Sequence, residues 1–197
     1  MEVEQQGLVG WIGRLEENKN WRSFWEICAN LLLFSKNLRF WIFTDDSLNS
    51  TAEKAAFYQR ILDLDLQNYI SILSNVPHNK MPYYYTRIGN SGGFLCSTSV
   101  VAGFGYAMVE AMSCLCPVIT SDSDSVRSFI FHNNTGKIFP QNSEQQAVNE
   151  AIELLSQPAL KQTIRQQGQR FVQEHFSLEK YAANFMQMIR TLQGANR

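Results

Sequence analysis

Short apolar runs alternate with stretches of helical period along the first two thirds of this chain. Residues 7–13 (GLVGWIG) read as a strand, and residues 21–35 (WRSFWEICANLLLFS) carry apolar positions at helical spacing. Residues 38–44 (LRFWIFT) are aromatic and β-branched, as a strand requires, and end in the polar turn DDSLNST. The same pattern predicts a helix over 52–64, a weaker strand over 70–76, a short helix over 80–87 and a strand over 94–97. A buried helix over 105–115 and a strand over 117–120 complete it. Strands that are short and apolar throughout belong to a parallel sheet covered on both faces, and such sheets bind ligands beyond the carboxyl ends of their strands.

After Gly136 the pattern changes. Residues 143–156, 159–175 and 178–192 read as three helices with Gln and Glu on their polar faces. Ser143, with Gln146 three residues on, predicts a capped helix start. No internal repeat or low-complexity linker divides the chain. The expected fold is α/β: a Rossmann-like parallel sheet with helices on both faces and a helical C-terminal tail, forming a single domain over residues 1–197.

Composition narrows the function by exclusion. Seventeen Lys and Arg balance 18 Asp and Glu, so the overall charge points neither to nucleic acid nor to an acidic membrane surface. Cys28, Cys96, Cys114 and Cys116 lie in apolar segments without the paired spacing of zinc sites, which suits a reduced, cytoplasmic chain. No apolar run reaches the roughly 20 residues of a membrane span, so no transmembrane segment is expected, and MEVEQQ is not a signal peptide. Function must therefore reside in a local site.

Residues 97–112 (STSVVAGFGYAMVEAM) supply one. A polar turn hinged at Gly103 and Gly105 feeds a helix start, and the free N–H groups and positive dipole end of such a start suit a phosphate. Glu110 interrupts an otherwise apolar helix, so its charge needs a partner, which a bound hydroxyl would provide. Arg14 and Lys19 flank the turn after the first strand and can hold one anion between them, Arg as a fork and Lys as a point charge. Read alone, they are ordinary surface cations; the glycine hinge makes them a candidate diphosphate clamp.

Five segments, in order, carry a resemblance: GRLEENKNW from Gly13, FLCSTS from Phe94, GFGYAMVEAM from Gly103, PVITSDS from Pro117 and NTGKIFP from Asn134. Together the chain resembles the C-terminal, donor-binding domain of the group 1 (family 4) retaining glycosyltransferases of GT-B fold, one half of that fold. The resemblance implies a nucleotide-diphosphate-sugar donor as substrate, with Arg14 and Lys19 on its diphosphate. It implies Gly103, Phe104 and Gly105 near the phosphates and sugar, and Glu110 on the ribose hydroxyls. It implies no metal and no other cofactor, and it assigns no catalytic residue.

Two departures from the family pattern bear on activity. The pattern has acidic residues eight positions apart, and its first position is here Ala102, a methyl that cannot accept a hydrogen bond. Losing one such charged contact costs about 1.5 to 3 kcal/mol, or one to two orders of magnitude in rate if it acts in the transition state. A catalytically impaired pseudo-glycosyltransferase, or a module binding a nucleotide or a partner chain, is therefore the alternative reading. The resemblance also implies an N-terminal acceptor domain, for which 197 residues leave no room. The expectation is a fragment or subunit of a larger hexosyltransferase that needs the missing domain or a partner subunit for efficient transfer, with any peripheral membrane contact made through that missing domain.

Weaker candidates read as structure. Asp122, Ser123 and Asp124 spell a DxD but follow a strand as a polar turn. His78, His132 and His175 lack ligand spacing and read as loop or surface histidines. Tyr83, Tyr84 and Tyr85 read as packing for the short helix, with one of them available to a base pocket, and residues 79–81 fall where the family has a base loop.

Overall fold

A computed structural model of the chain describes residues 6–45, 47, 50–177, 180 and 186. Six strands form one wholly parallel sheet: β1 (Leu8–Ile12), β2 (Arg39–Thr44), β3 (Ile70–Ser74), β4 (Phe94–Ser97), β5 (Val118–Ser121) and β6 (Lys137–Phe139). Their spatial order is β3-β2-β1-β4-β5-β6. The chain thus builds outward from β1 to β3, then returns to lay β4 on the other side of β1. That reversal opens a crevice at the carboxyl edge between β1 and β4, the place where open parallel sheets hold ligands.

Helices α1 (Trp21–Phe34), α2 (Thr51–Asp63), α3 (Met81–Asn90), α4 (Tyr106–Ser113), α5 (Glu144–Ser156) and α6 (Pro158–His175) connect and cover the strands. Successive side chains of a strand point to opposite faces, and the core divides accordingly. Phe40 and Ile42 join Trp11, Phe24, Trp25 and Phe57 under α1, α2 and α5. Phe43 and Leu95 join Tyr85, Ile88, Met108 and Met112 under α3 and α4. Helix α6 contributes Ile164 to the first core and Val172 to the second.

Helix α3 runs three residues beyond its predicted end, through Gly89. A Cβ at Gly89 would lie 2.6 Å from the Leu115 carbonyl, so glycine there permits close packing against the segment entering β5. The strand β6, three residues long, is not among the elements expected from the sequence, and it contains a lysine. Lys137 is nevertheless fully buried, with Nζ donating to Glu150 at 2.5 Å and Glu153 at 2.6 Å on α5. Breaking such a buried pair leaves an uncompensated charge, so the network fixes α5 on the sheet edge.

The expected Ser143 cap is not formed: Ser143 precedes α5 without accepting a side-chain hydrogen bond. Ser50 makes that contact for α2, accepting from the Glu53 N–H at 3.2 Å. The helix expected over 178–192 falls largely outside the described residues. No helix among the described residues is long and apolar enough to cross a membrane.

Candidate functional site

Two loops meet at the crevice, and hydrogen bonds join them. The loop after β1 turns through Glu17–Lys19 and ends at Asn20, whose left-handed backbone and side chain cap α1. Asn18 bridges to the loop after β4: its carbonyl accepts from Val100 N–H at 2.8 Å, its Oδ1 accepts from Val101 N–H at 2.9 Å, and its Nδ2 donates to the Val101 carbonyl at 3.0 Å. Beneath them Trp11 Nε1 donates to Thr98 Oγ1 at 3.0 Å, which donates to the Lys19 carbonyl at 2.8 Å. The position of Lys19 is therefore tied to the core and to the neighbouring loop.

The loop after β4 enters α4 through the glycine turn. Gly103 and Gly105 have φ of +58° and +76°, in the region that L side chains rarely adopt. At Gly105 a Cβ would also sit 2.7 Å from Met108 and 2.8 Å from Phe129, whereas at Gly103 it would enter open space. Gly105 starts α4 with no side-chain cap, so the first turn offers backbone N–H groups and the positive end of the helix dipole.

A cleft of about 710 Å³ opens at the carboxyl edge of β1, β2 and β3. Arg14 and Lys19 line it from the first loop, and Tyr106, Ala107 and Glu110 from α4. A smaller adjoining hollow of about 210 Å³ shares Ile12, Lys19, Tyr106 and Ala107 with it, and adds Ser97, Ser99, Ala102 and Gly105. Gly103 and Phe104 line neither; the Phe104 ring packs against Tyr106, Phe129 and Phe176. A third hollow, about 660 Å³, opens at the amino edge beside Arg39 and Arg87, remote from the glycine turn.

Two protein groups contact Glu110. Tyr85 donates its hydroxyl to Oε2 at 3.1 Å, and His78 Nε2 lies 2.8 Å from Oε1. The two contacts differ in kind. Tyr85 is 1% exposed within α3, and its phenol is pushed well above the usual range by burial first and by the Glu110 charge second, so it remains a hydrogen donor. His78 stands on a single exposed turn, its side chain 83% accessible. It is a surface histidine as expected, yet one that touches the site.

Tyr84 packs edge-on against Trp41 and Phe43, and Tyr83 is largely exposed, so the tyrosine run divides among surface, core and cleft. Neither position 79 nor position 80 lines the cleft; His78 and Met81 do.

On the opposite wall Arg14 is half-exposed and pairs with Glu16 at 3.2 Å. The Asp122 and Asp124 carboxylates are engaged separately. Asp122 takes two hydrogen bonds from Arg127, at 2.9 and 2.6 Å, and Asp124 accepts from the Ala102 N–H at 3.1 Å. Among the described residues no three His, Cys, Asp or Glu gather as a metal would require. Burial pushes the Cys96 thiol up to about 12, which removes it as a nucleophile. The His78 and Tyr85 contacts to Glu110 were not legible in the sequence, since they join residues 32 and 25 positions apart.

Solved structures share this architecture. HepE of Anabaena, in complex with UDP and glucose, superposes with a TM-score of 0.83 at 18% identity, over 95% of this chain and 49% of HepE. Sucrose-phosphate synthase of Thermosynechococcus elongatus gives 0.84 at 21% identity, over 98% of this chain and 47% of the synthase. The C-terminal domain of LpcC, a group 1 family glycosyl transferase of Francisella tularensis, gives 0.77 at 20% identity, over 90% of this chain and 95% of that domain. The chain thus spans about half the length of the two full enzymes. It has the Rossmann-like fold of GT-B enzymes. Residues 2–171 match the profile of the glycosyl transferases group 1 family, and the chain belongs to that family.

Proposed function

We propose that this chain is the nucleotide-sugar-binding half of a retaining, metal-independent glycosyltransferase, acting in the cytoplasm with an acceptor-binding domain or subunit. The observation that carries the reading is the cleft itself, with Arg14 and Lys19 on one wall, Glu110 on the other, and the start of α4 beside them. A donor diphosphate lies against the two cations and a ribose against the carboxylate. As the bond from sugar to phosphate breaks, negative charge accumulates on the diphosphate. Arg14, Lys19 and the α4 dipole then stabilise the leaving group, a task that otherwise falls to a metal ion. The complexes of HepE with UDP-glucose and with UDP and glucose support a uridine diphosphate sugar as the first donor to test. Retention of configuration and the role of a separate acceptor half follow the resemblance of the five sequence segments, with the half-length match to two full enzymes in support.

A second reading rests on Ala102, whose methyl lines the small hollow next to the glycine turn. A site with no carboxylate there holds the nucleotide and transfers poorly. Calorimetric titration of the chain with UDP-, GDP- and ADP-glucose tests the first reading: micromolar to millimolar binding of one of them is expected, and binding of none overturns it. Ala102→Glu then separates the two readings. In the chain joined to its acceptor half, a gain in hexosyl transfer supports the transferase reading, and no gain favours the pseudoenzyme or binding module.

A further inference from the structure

Glu110 is a cleft residue whose side chain is held from behind by a buried group. Its carboxylate offers about four acceptor positions, of which Tyr85 takes one on Oε2 and His78 one on Oε1. The Tyr85 ring is enclosed by the α3 and α4 core, so the hydroxyl has one direction in which to donate. His78 can leave its contact by moving on an exposed turn, and a ligand hydroxyl can replace it. One oxygen is thus anchored and the other is exchangeable.

We infer that Tyr85 is a positioning residue that holds the Glu110 carboxylate toward the cleft, and that this arrangement selects nucleotides bearing a ribose 2′,3′-diol over 2′-deoxynucleotides. The inference rests on the donor reading above. The physical basis is the cost of orientation. A carboxylate free to rotate accepts one hydroxyl nearly as well as two, whereas one locked by Tyr85 meets two vicinal hydroxyls at once and leaves an acceptor unmatched when one is missing. Tyr85 acts through Glu110 in this arrangement.

The test compares a nucleoside diphosphate with its 2′-deoxy counterpart by calorimetry on the full chain, using whichever of UDP, GDP and ADP binds. The intact chain should prefer the ribonucleotide by about tenfold or more. Tyr85→Phe keeps the ring and removes the hydroxyl; the preference should fall to about twofold or less, with affinity for the deoxynucleotide changed much less. Glu110→Gln should lower the preference comparably, and adding Tyr85→Phe to it should lower it no further. An unchanged preference in Tyr85→Phe, equal weakening of both ligands, or no preference in the intact chain overturns the inference while leaving the donor reading in place. Failure of all three diphosphates to bind the intact chain overturns the donor reading and this inference with it. If Tyr85→Phe does not fold, 3-fluorotyrosine at position 85 retains the ring and strengthens the donor: the preference should rise, and a preference that stays constant overturns the inference.

Discussion

The two walls of the cleft are built on different terms. On the α4 wall, Glu110 is backed by a buried tyrosine and carried by a helix packed into the second core. On the β1 wall, Arg14 reaches from an exposed loop and shares its guanidinium with Glu16, while Lys19 is fixed through its backbone carbonyl and not through its ammonium. The carboxylate on one wall is held by a buried group, and the guanidinium and ammonium on the other are not. A rigid acceptor reads shape and hydroxyl number; mobile cations supply attraction for any anion of suitable size.

The contrast is open to attack from either side. Removing both cations with Arg14→Ala and Lys19→Ala should weaken UDP about 100-fold, from about tenfold per charge-assisted contact, and leave uridine unchanged. Calorimetry with both ligands reads the difference, and thermal unfolding should move little because neither ammonium nor guanidinium supports the core. Glu110→Ala should weaken UDP and uridine alike by about tenfold, and should also cost about 1 to 2 kcal/mol in urea unfolding because the buried Tyr85 hydroxyl loses its acceptor. A stability loss in the cation variant, or none in Glu110→Ala, would erase the distinction. Asn18→Ala has the smallest expected effect, about threefold in UDP affinity, because it loosens the backbone that presents Lys19 without removing a charge. If uridine weakens as much as UDP in that variant, the loop supports more than the diphosphate side.

The sequence carried the sheet and the glycine turn because both depend on local chemistry. Apolar runs such as LVGWI and RFWIFT have few alternatives to a strand covered on both faces, and Gly103 and Gly105 announce their backbone angles by residue type. Strand β6 was not legible, and Lys137 shows a physical reason. A charge inside a three-residue run reads as solvent-facing until Glu150 and Glu153 are brought beneath it by a helix that begins seven residues later. Glu110 was legible as a carboxylate that needs a partner; which partners it has was not. Tyr85 and His78 reach it only because α3 and α4 lie side by side on one face of the sheet. The Ser143 cap failed because serine at a helix start permits the contact without compelling it.

The Asn18 bridge carries a consequence for timing. Its three hydrogen bonds unite the Lys19 turn with residues 100 and 101, so the loops that follow β1 and β4 are joined into one rim. Under the donor reading, a nucleotide held at Lys19 bears on both loops at once. Amide exchange at Val100 and Val101 should therefore slow in parallel when a nucleotide engages Lys19, and in Asn18→Ala the two sites should exchange faster and respond less to the nucleotide.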